Sequence, residues 1–166
     1  MNSDEDLGAI VKAIIDANFY MTLGTADANG RPWVSPVYYA PAGFQEFYWV
    51  SSPEVKHSRN LAARPELSIV VFDSQVPPGT GQALYMSAVA EELKDGDLDA
   101  GIEVYSQGAE ARGAWRWTPE GVRPPALYRL YRAAVSEHSI LCPRDRGLPC
   151  PVHGHAFDHR ITVTMQ

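Results

Sequence analysis

The sequence predicts a mainly β, α+β domain: an antiparallel barrel, closed or split, with flanking helices. Three observations predict it. Apolar stretches with strand character recur along the chain, and several are joined by short Asn-, Gly- and Pro-containing turns, which imposes antiparallel pairing. Helical periodicity is confined to three stretches, an order of elements that suits a barrel with helices packed around it. The 166 residues, 45% apolar and 20% charged, show no composition break and no internal repeat. That size fits one domain with a real core, or one protomer of an intimate dimer.

In chain order, Leu7, Ile10, Val11 and Ile14 recur at helical spacing, so residues 4–17 read as an amphipathic helix. Residues 19–25 read as a strand, and Asp27-Ala-Asn-Gly30 as a hairpin turn, because Asn-Gly readily takes positive φ. Residues 32–40 form the return strand, with Trp33, Val37 and Tyr39 on one face and Val34 and Tyr38 towards the other. Strands follow at 46–50, 67–72, 82–93 and 127–140, with a short addition at 160–164. Residues 97–105 read as a weaker helix, and 106–126, rich in Gly and Pro with two tryptophans, as an irregular excursion. Trp115 and Trp117 are read as packing anchors for it, the competing role being the lining of a substrate site.

The stretch Phe47–Leu61 is the most informative. An apolar strand runs into Ser51 and Ser52, and a helix over residues 53–63 follows, with Ser52 as its N-cap and Pro53 at its first position. Arg64-Pro65 ends it, since a residue before proline avoids helical geometry. Lys56, His57 and Arg59 sit on the first turns. Two readings follow: a capped amphipathic helix with a solvated basic face, or a cradle in which helix N–H groups and basic side chains hold a phosphate.

Composition excludes other classes. A formal charge of −6 argues against a nucleic-acid surface. No apolar run approaches the roughly 20 residues of a membrane span. The acidic N-terminus lacks a signal-peptide pattern, so a cytoplasmic protein is expected. Two cysteines are too few for a disulfide scaffold.

Together, the hairpin from Thr22 to Val37, the Phe47–Leu61 stretch, Arg64-Pro-Glu-Leu-Ser-Ile-Val-Val71 and Gly81-Gln-Ala-Leu-Tyr-Met-Ser-Ala-Val-Ala-Glu-Glu-Leu93 resemble the FMN-binding split β-barrel superfamily of pyridoxamine 5'-phosphate oxidase-like proteins. The resemblance covers about residues 5–140. It implies a six-stranded antiparallel split barrel over residues 1–140, with the tail 141–166 counted in the same domain. It also implies a homodimer with FMN at the subunit interface, and hydride transfer between the flavin and a small organic substrate or a nicotinamide. Carried over by position, Val50, Ser51 and Ser52 at the strand end, with Lys56, His57 and Arg59, bind the phosphate. Gln82 contacts the ring, and the backbone of Ser35, Pro36, Val37 and Tyr38, continuing to Ala40, lies along it. The oxidase itself has an arginine where this chain has Ser35, a lysine where it has Ala40, and a C-terminal Trp- and Arg-containing motif that is absent here. These departures argue against pyridoxamine phosphate oxidation. The alternatives are a deazaflavin-dependent reductase, whose cofactor tail would use Lys56, Arg59 and Arg31, and a non-catalytic module holding flavin or haem. No catalytic triad is evident.

The tail holds Cys142, Cys150, His153, His155 and His159 within 18 residues. Thiolate and imidazole are the ligands zinc prefers, and Cys-x-x-His is a workable chelate. The seven residues between the cysteines are not a standard finger spacing. The reading adopted from sequence is therefore a Pro- and Gly-rich surface tail with incidental histidines and no metal.

Overall fold

A single stretch of chain supplies both edges of one sheet, and this shapes the molecule. The structure, a computed structural model, describes residues 4–144 and 147–165. Its elements are α1 (Asp4–Ala17), β1 (Tyr20–Ala26), β2 (Pro32–Tyr38), β3 (Ala40–Ala42), β4 (Glu46–Ser51), α2 (Lys56–Ala63), β5 (Glu66–Phe72), β6 (Ala83–Glu92), α3 (Asp95–Ala111), α4 (Pro119–Val122), β7 (Arg129–Leu141) and β8 (Arg160–Val163). The strands pair antiparallel in the order β2-β1-β5-β6-β7-β4-β3, and β8 also pairs with β7. β2 and β3 stand at opposite ends of this order although only Tyr39 separates them in sequence. The sheet must therefore curl until its two edges meet at Tyr39.

The split lies along β7. Its first half, Arg129 to Ala134, pairs with β4, and its second half, His138 to Leu141, pairs with β8, while β6 follows its other edge throughout. The described residues thus contain eight strands: the six expected for the barrel, the short C-terminal addition, and β3. The expected strand over 32–40 ends at Tyr38, and after Tyr39 the chain adds β3 over Ala40–Ala42, while the short C-terminal strand forms as expected.

Alternation along the strands sends Met21, Leu23, Ile69, Val71, Leu84 and Met86 inward, where Leu7, Val11 and Ile15 of α1 cover them. A second cluster joins Leu98, Ile102, Tyr105 and Ala109 of α3 to Ala40, Tyr48 and Leu130. That stripe explains why α3 runs to Ala111 rather than ending near Tyr105, since Tyr105, Ser106 and Ala109 continue the buried face that Leu98 and Ile102 begin. Gly108 permits the approach, because a Cβ there would sit 2.9 Å from the Ala40 Cβ. The segment after α3 is more ordered than its composition suggested. Trp117 donates its backbone N–H to Ser106 Oγ at 3.0 Å and accepts from that hydroxyl at 2.8 Å, and its ring meets Tyr128 edge-on. Trp115 lies exposed.

Arg112, just past α3, holds the Tyr39 seam. Its guanidinium donates to the carbonyls of Asn18 and Ile15, each at 2.9 Å, and lies 5.0 Å from the centroid of the buried Tyr39 ring. The Tyr39 hydroxyl donates to Ile15 O at 2.8 Å. These carbonyls belong to the C-terminal end of α1, where cations are favoured. Arg112→Ala should lower unfolding free energy by about 2–4 kcal/mol, and Tyr39→Phe by about 1 kcal/mol, in urea titrations followed by circular dichroism.

Candidate functional site

The site is built where β4 hands the chain to α2. β4 ends at Ser51, opposite Arg129 on β7. Ser52 does not cap the helix. Its hydroxyl accepts the Glu54 N–H at 3.2 Å in a local turn, and α2 begins three residues later than expected, at Lys56. Val55 occupies the N-cap without any side-chain hydrogen bond, and the first turn carries no acidic residue. The opening N–H groups of α2 are thus left for a partner, and the partial positive charge there suits an anion.

The basic residues placed there by sequence have three different fates. Lys56 is half-exposed, with Nζ 3.6 Å from Asp27 Oδ2. His57 is buried, its Nε2 2.9 Å from Ser51 Oγ. Burial pushes its pKa below the ordinary value, so it is neutral near pH 7 and serves to hold the Ser51 hydroxyl rather than to supply charge. Arg59 turns back on the preceding turn, donating through Nε to Glu54 O at 2.8 Å and pairing with the Glu54 carboxylate at 3.8 Å. Of the expected cations, only Lys56 is both charged and clear of its own loop, with its ammonium lying against Asp27.

Asp27 is a site residue that sequence reading treated only as a turn residue. Its Oδ1 accepts the N–H groups of Arg31 and Asn29, each at 3.0 Å, which leaves Oδ2 to face Lys56. The Arg31 N–H, then that of Asn29 and the Lys56 charge, hold its carboxyl below the usual range. The hairpin end is stapled to α2 by Asn60, which donates to Thr25 Oγ1 at 3.0 Å, and by Arg64, which donates to Ala28 O at 3.1 Å. The signal in sequence was an aspartate opening an Asn-Gly turn, whose carboxylate has one oxygen to spare.

From this corner β2 leads away. Ser35, Pro36, Val37 and Tyr38 pair with Leu23, Thr22, Met21 and Tyr20, and the opposite edge of β2 hydrogen-bonds to no other strand among the described residues. Ser35 lies three residues along from Pro32, about 10 Å from the hairpin end. Its hydroxyl accepts the Trp33 indole N–H at 2.9 Å. The Tyr38 hydroxyl is buried with no hydrogen-bond partner, and burial raises its pKa. On the outer face, a groove of about 340 Å³ runs over Val34, Gly24, Ser68, Val70, Tyr85 and Ser139. A Cβ on Gly24 would come within 3.3 Å of Ser68 O. Val34, Phe72 and Val89 stand 68%, 49% and 51% exposed on that face.

Gln82 lies elsewhere. Its amide mimics a ladder pair with Leu141, donating to Leu141 O at 2.9 Å and accepting the N–H groups of Leu141 at 2.9 Å and Ala83 at 3.0 Å. Leu141 ends β7 and Arg129, opposite Ser51, begins it. At about 3.3 Å per residue the two places are roughly 30–40 Å apart, so the structure does not bring Gln82 and the α2 corner together within one chain.

These features define a split β-barrel with an anion-ready strand-to-helix corner. The profile of the pyridoxamine 5'-phosphate oxidase family matches residues 8–138, and the chain belongs to that family. Solved structures with the same fold include a haem-binding protein from Mycobacterium smegmatis, at 20% identity and a TM-score of 0.66, covering 98% of this chain and 59% of that one. A haem storage protein from Vibrio cholerae aligns over 77% of this chain and 89% of its own, at 22% identity and a TM-score of 0.62. An FAD-binding protein from Mesorhizobium loti aligns over 80% and 90%, at 20% identity and a TM-score of 0.61. This chain thus spans about three-fifths of the length of the mycobacterial protein. No curated protein sequence matches. No helix among the described residues is long and apolar enough to cross a membrane.

Burial of His57 and His138 has a consequence for acid stability. Both folded pKa values lie below the ordinary 6.5, so the unfolded chain binds more protons once the pH falls below that value. Their contribution is present above pH 6.5 and is lost progressively below it. Urea midpoints should therefore fall between about pH 7 and pH 5.5, and more steeply in the parent than in a His57→Asn variant.

Proposed function

We propose that the chain is a homodimeric FMN-binding oxidoreductase that transfers hydride to or from a small organic substrate. The single observation that carries this is the uncapped start of α2, which has no acidic residue in its first turn and opens with Lys56, at the end of β4 and beside the hairpin that leads into the open edge of β2. Lys56 and the first N–H groups of α2 bind the phosphate, with the Ser51 hydroxyl held in place by His57. The open edge of β2 over Ser35 to Tyr38 orients the ring by backbone groups, and the unpartnered Tyr38 hydroxyl lies in the same stretch. Bound flavin supplies the hydride chemistry, and the protein supplies position and electrostatics.

The separation of Gln82 from this corner supports a second copy. One flavin cannot span the length of β7, but the Gln82 end of a second chain, laid against the exposed outer face, would bring the two halves together. The Gln82 amide keeps one N–H free for that contact after its bonds to β7. Pyridoxamine phosphate oxidation is not proposed. Ser35 replaces one expected cation, and Ala40 is fully buried against Gly108, where a lysine side chain has no room.

Absorbance of purified protein, followed by FMN titration, tests the proposal. A two-banded flavin spectrum or saturable FMN quenching is expected, whereas a deazaflavin band or a Soret band would replace FMN by one of the two alternatives. Lys56→Ala should weaken FMN binding by about 1–2 kcal/mol, roughly 5- to 30-fold, the loss being limited because Lys56 is half-exposed and shared with Asp27. An unchanged dissociation constant would place the phosphate elsewhere. Sedimentation should show a dimer, and Gln82→Ala should weaken binding without dissociating it.

A further inference from the structure

The tail gathers four side chains that the flavin reading does not use. Cys142 follows β7 directly, Cys150 and His153 lie in the loop beyond, and His159 immediately precedes β8. Their ligand atoms all lie within 4.8 Å of one another. Cys142 Sγ is 3.5 Å from His153 Nδ1, and Cys150 Sγ is 3.7 Å from His153 Nδ1 and 3.5 Å from His159 Nε2. The two imidazole nitrogens are 3.0 Å apart. A zinc ion with ordinary bonds to sulfur and nitrogen sets tetrahedral edges of roughly 3.5 Å between S and N and roughly 3.3 Å between N and N. Four of the six edges are thus close to those of a tetrahedral site, and the other two lie within 4.8 Å.

The surroundings orient these atoms as ligands. His159 Nδ1 lies 3.1 Å from Phe157 O, to which it can donate, leaving the Nε2 lone pair to face the cluster. The His153 backbone N–H donates to Cys150 Sγ at 3.1 Å, an interaction that favours a thiolate. Backbone bonds from Cys142 N to His159 O at 2.8 Å and from Cys150 N to His155 O at 2.9 Å close the loop around them. Both sulfurs are buried and neither is in a disulfide. Incidental surface histidines would have no reason to converge on two buried thiols.

We propose that Cys142, Cys150, His153 and His159 form a structural zinc site. Four protein ligands leave no open position for water or substrate, so the ion is a clamp rather than a catalyst, and two thiolates balance its charge. It ties the end of β7 to the start of β8. Because Gln82 holds the backbone of Leu141, the residue before Cys142, the clamp also steadies the strand end from which Gln82 is presented.

Metal analysis of untagged protein tests this without reference to flavin. About one zinc per chain is expected, retained in His155→Ala and lost in Cys150→Ser and His159→Ala. Because those two variants can misfold, cobalt exchanged into the parent protein provides a second readout: thiolate charge-transfer bands and the intense visible bands of a tetrahedral site. Folded parent protein that holds no zinc and takes up no cobalt would overturn the proposal. So would a mass lower by two hydrogens, marking a Cys142–Cys150 disulfide, or zinc that survives loss of His159 but not of His155.

Discussion

The structure depends on one constraint: the chain passes from one edge of its sheet to the other within a single residue. Tyr39 makes that passage, and everything near it holds two sheet edges at a fixed distance. Arg112 and the Tyr39 hydroxyl both close on the carbonyl end of α1. A helix C-terminus, a barrel seam and the end of α3 thereby satisfy one another's polar groups in a place that strand pairing cannot cover. The same closure gives β2 an open outer edge, because its onward chain is committed to β3. The edge proposed to face the flavin is thus a by-product of how the barrel shuts.

The corner at α2 shows how few charges such a site needs. Three basic residues lie within four positions, but one is buried and neutral, one is turned back on its own loop, and only Lys56, at the first position of α2, stays charged and clear of that loop. Asp27 shares that lysine. An anion binding there meets helix N–H groups and one cation already positioned by a carboxylate, so the site is pre-set but weakly charged. This fits a dimeric site in which much of the binding comes from enclosing an apolar ring, and it fits poorly with one built to grip a phosphorylated substrate as well.

At the other end of β7 the molecule uses side chains in place of missing backbone partners. Gln82 imitates a strand neighbour for Leu141, and the next residue enters the cysteine–histidine cluster. The long, irregular connection between β7 and β8 has little apolar surface to bury, and a metal-ligating cluster is a common way for such a segment to gain order.

Much of this was legible in the residues alone. Strand-forming residues and the Asn-Gly turn dictated the first hairpin and the positions of β5 and β6. The order of elements pointed to a barrel, and the resemblance carried the family. Local pattern could not show the passage at Tyr39, because Tyr38 and Tyr39 are themselves strand-forming residues and only barrel closure forces the change of edge. Nor could it show that α3 continues past Tyr105, since Gly108 is a weak helix former that is useful only against Ala40. The fates of His57, Arg59 and Gln82 were equally hidden: residue type determines what a side chain can bond to, whereas its neighbours in space determine what it does bond to. The convergence of Cys142, Cys150, His153 and His159 was hidden for the same reason, since β7 and β8, rather than a local knuckle, bring the ends of the tail together. Sequence by itself determined most of the strands and the chemical menu. The tertiary structure decided which donors were already spent, because that depends on contacts between residues far apart in the chain.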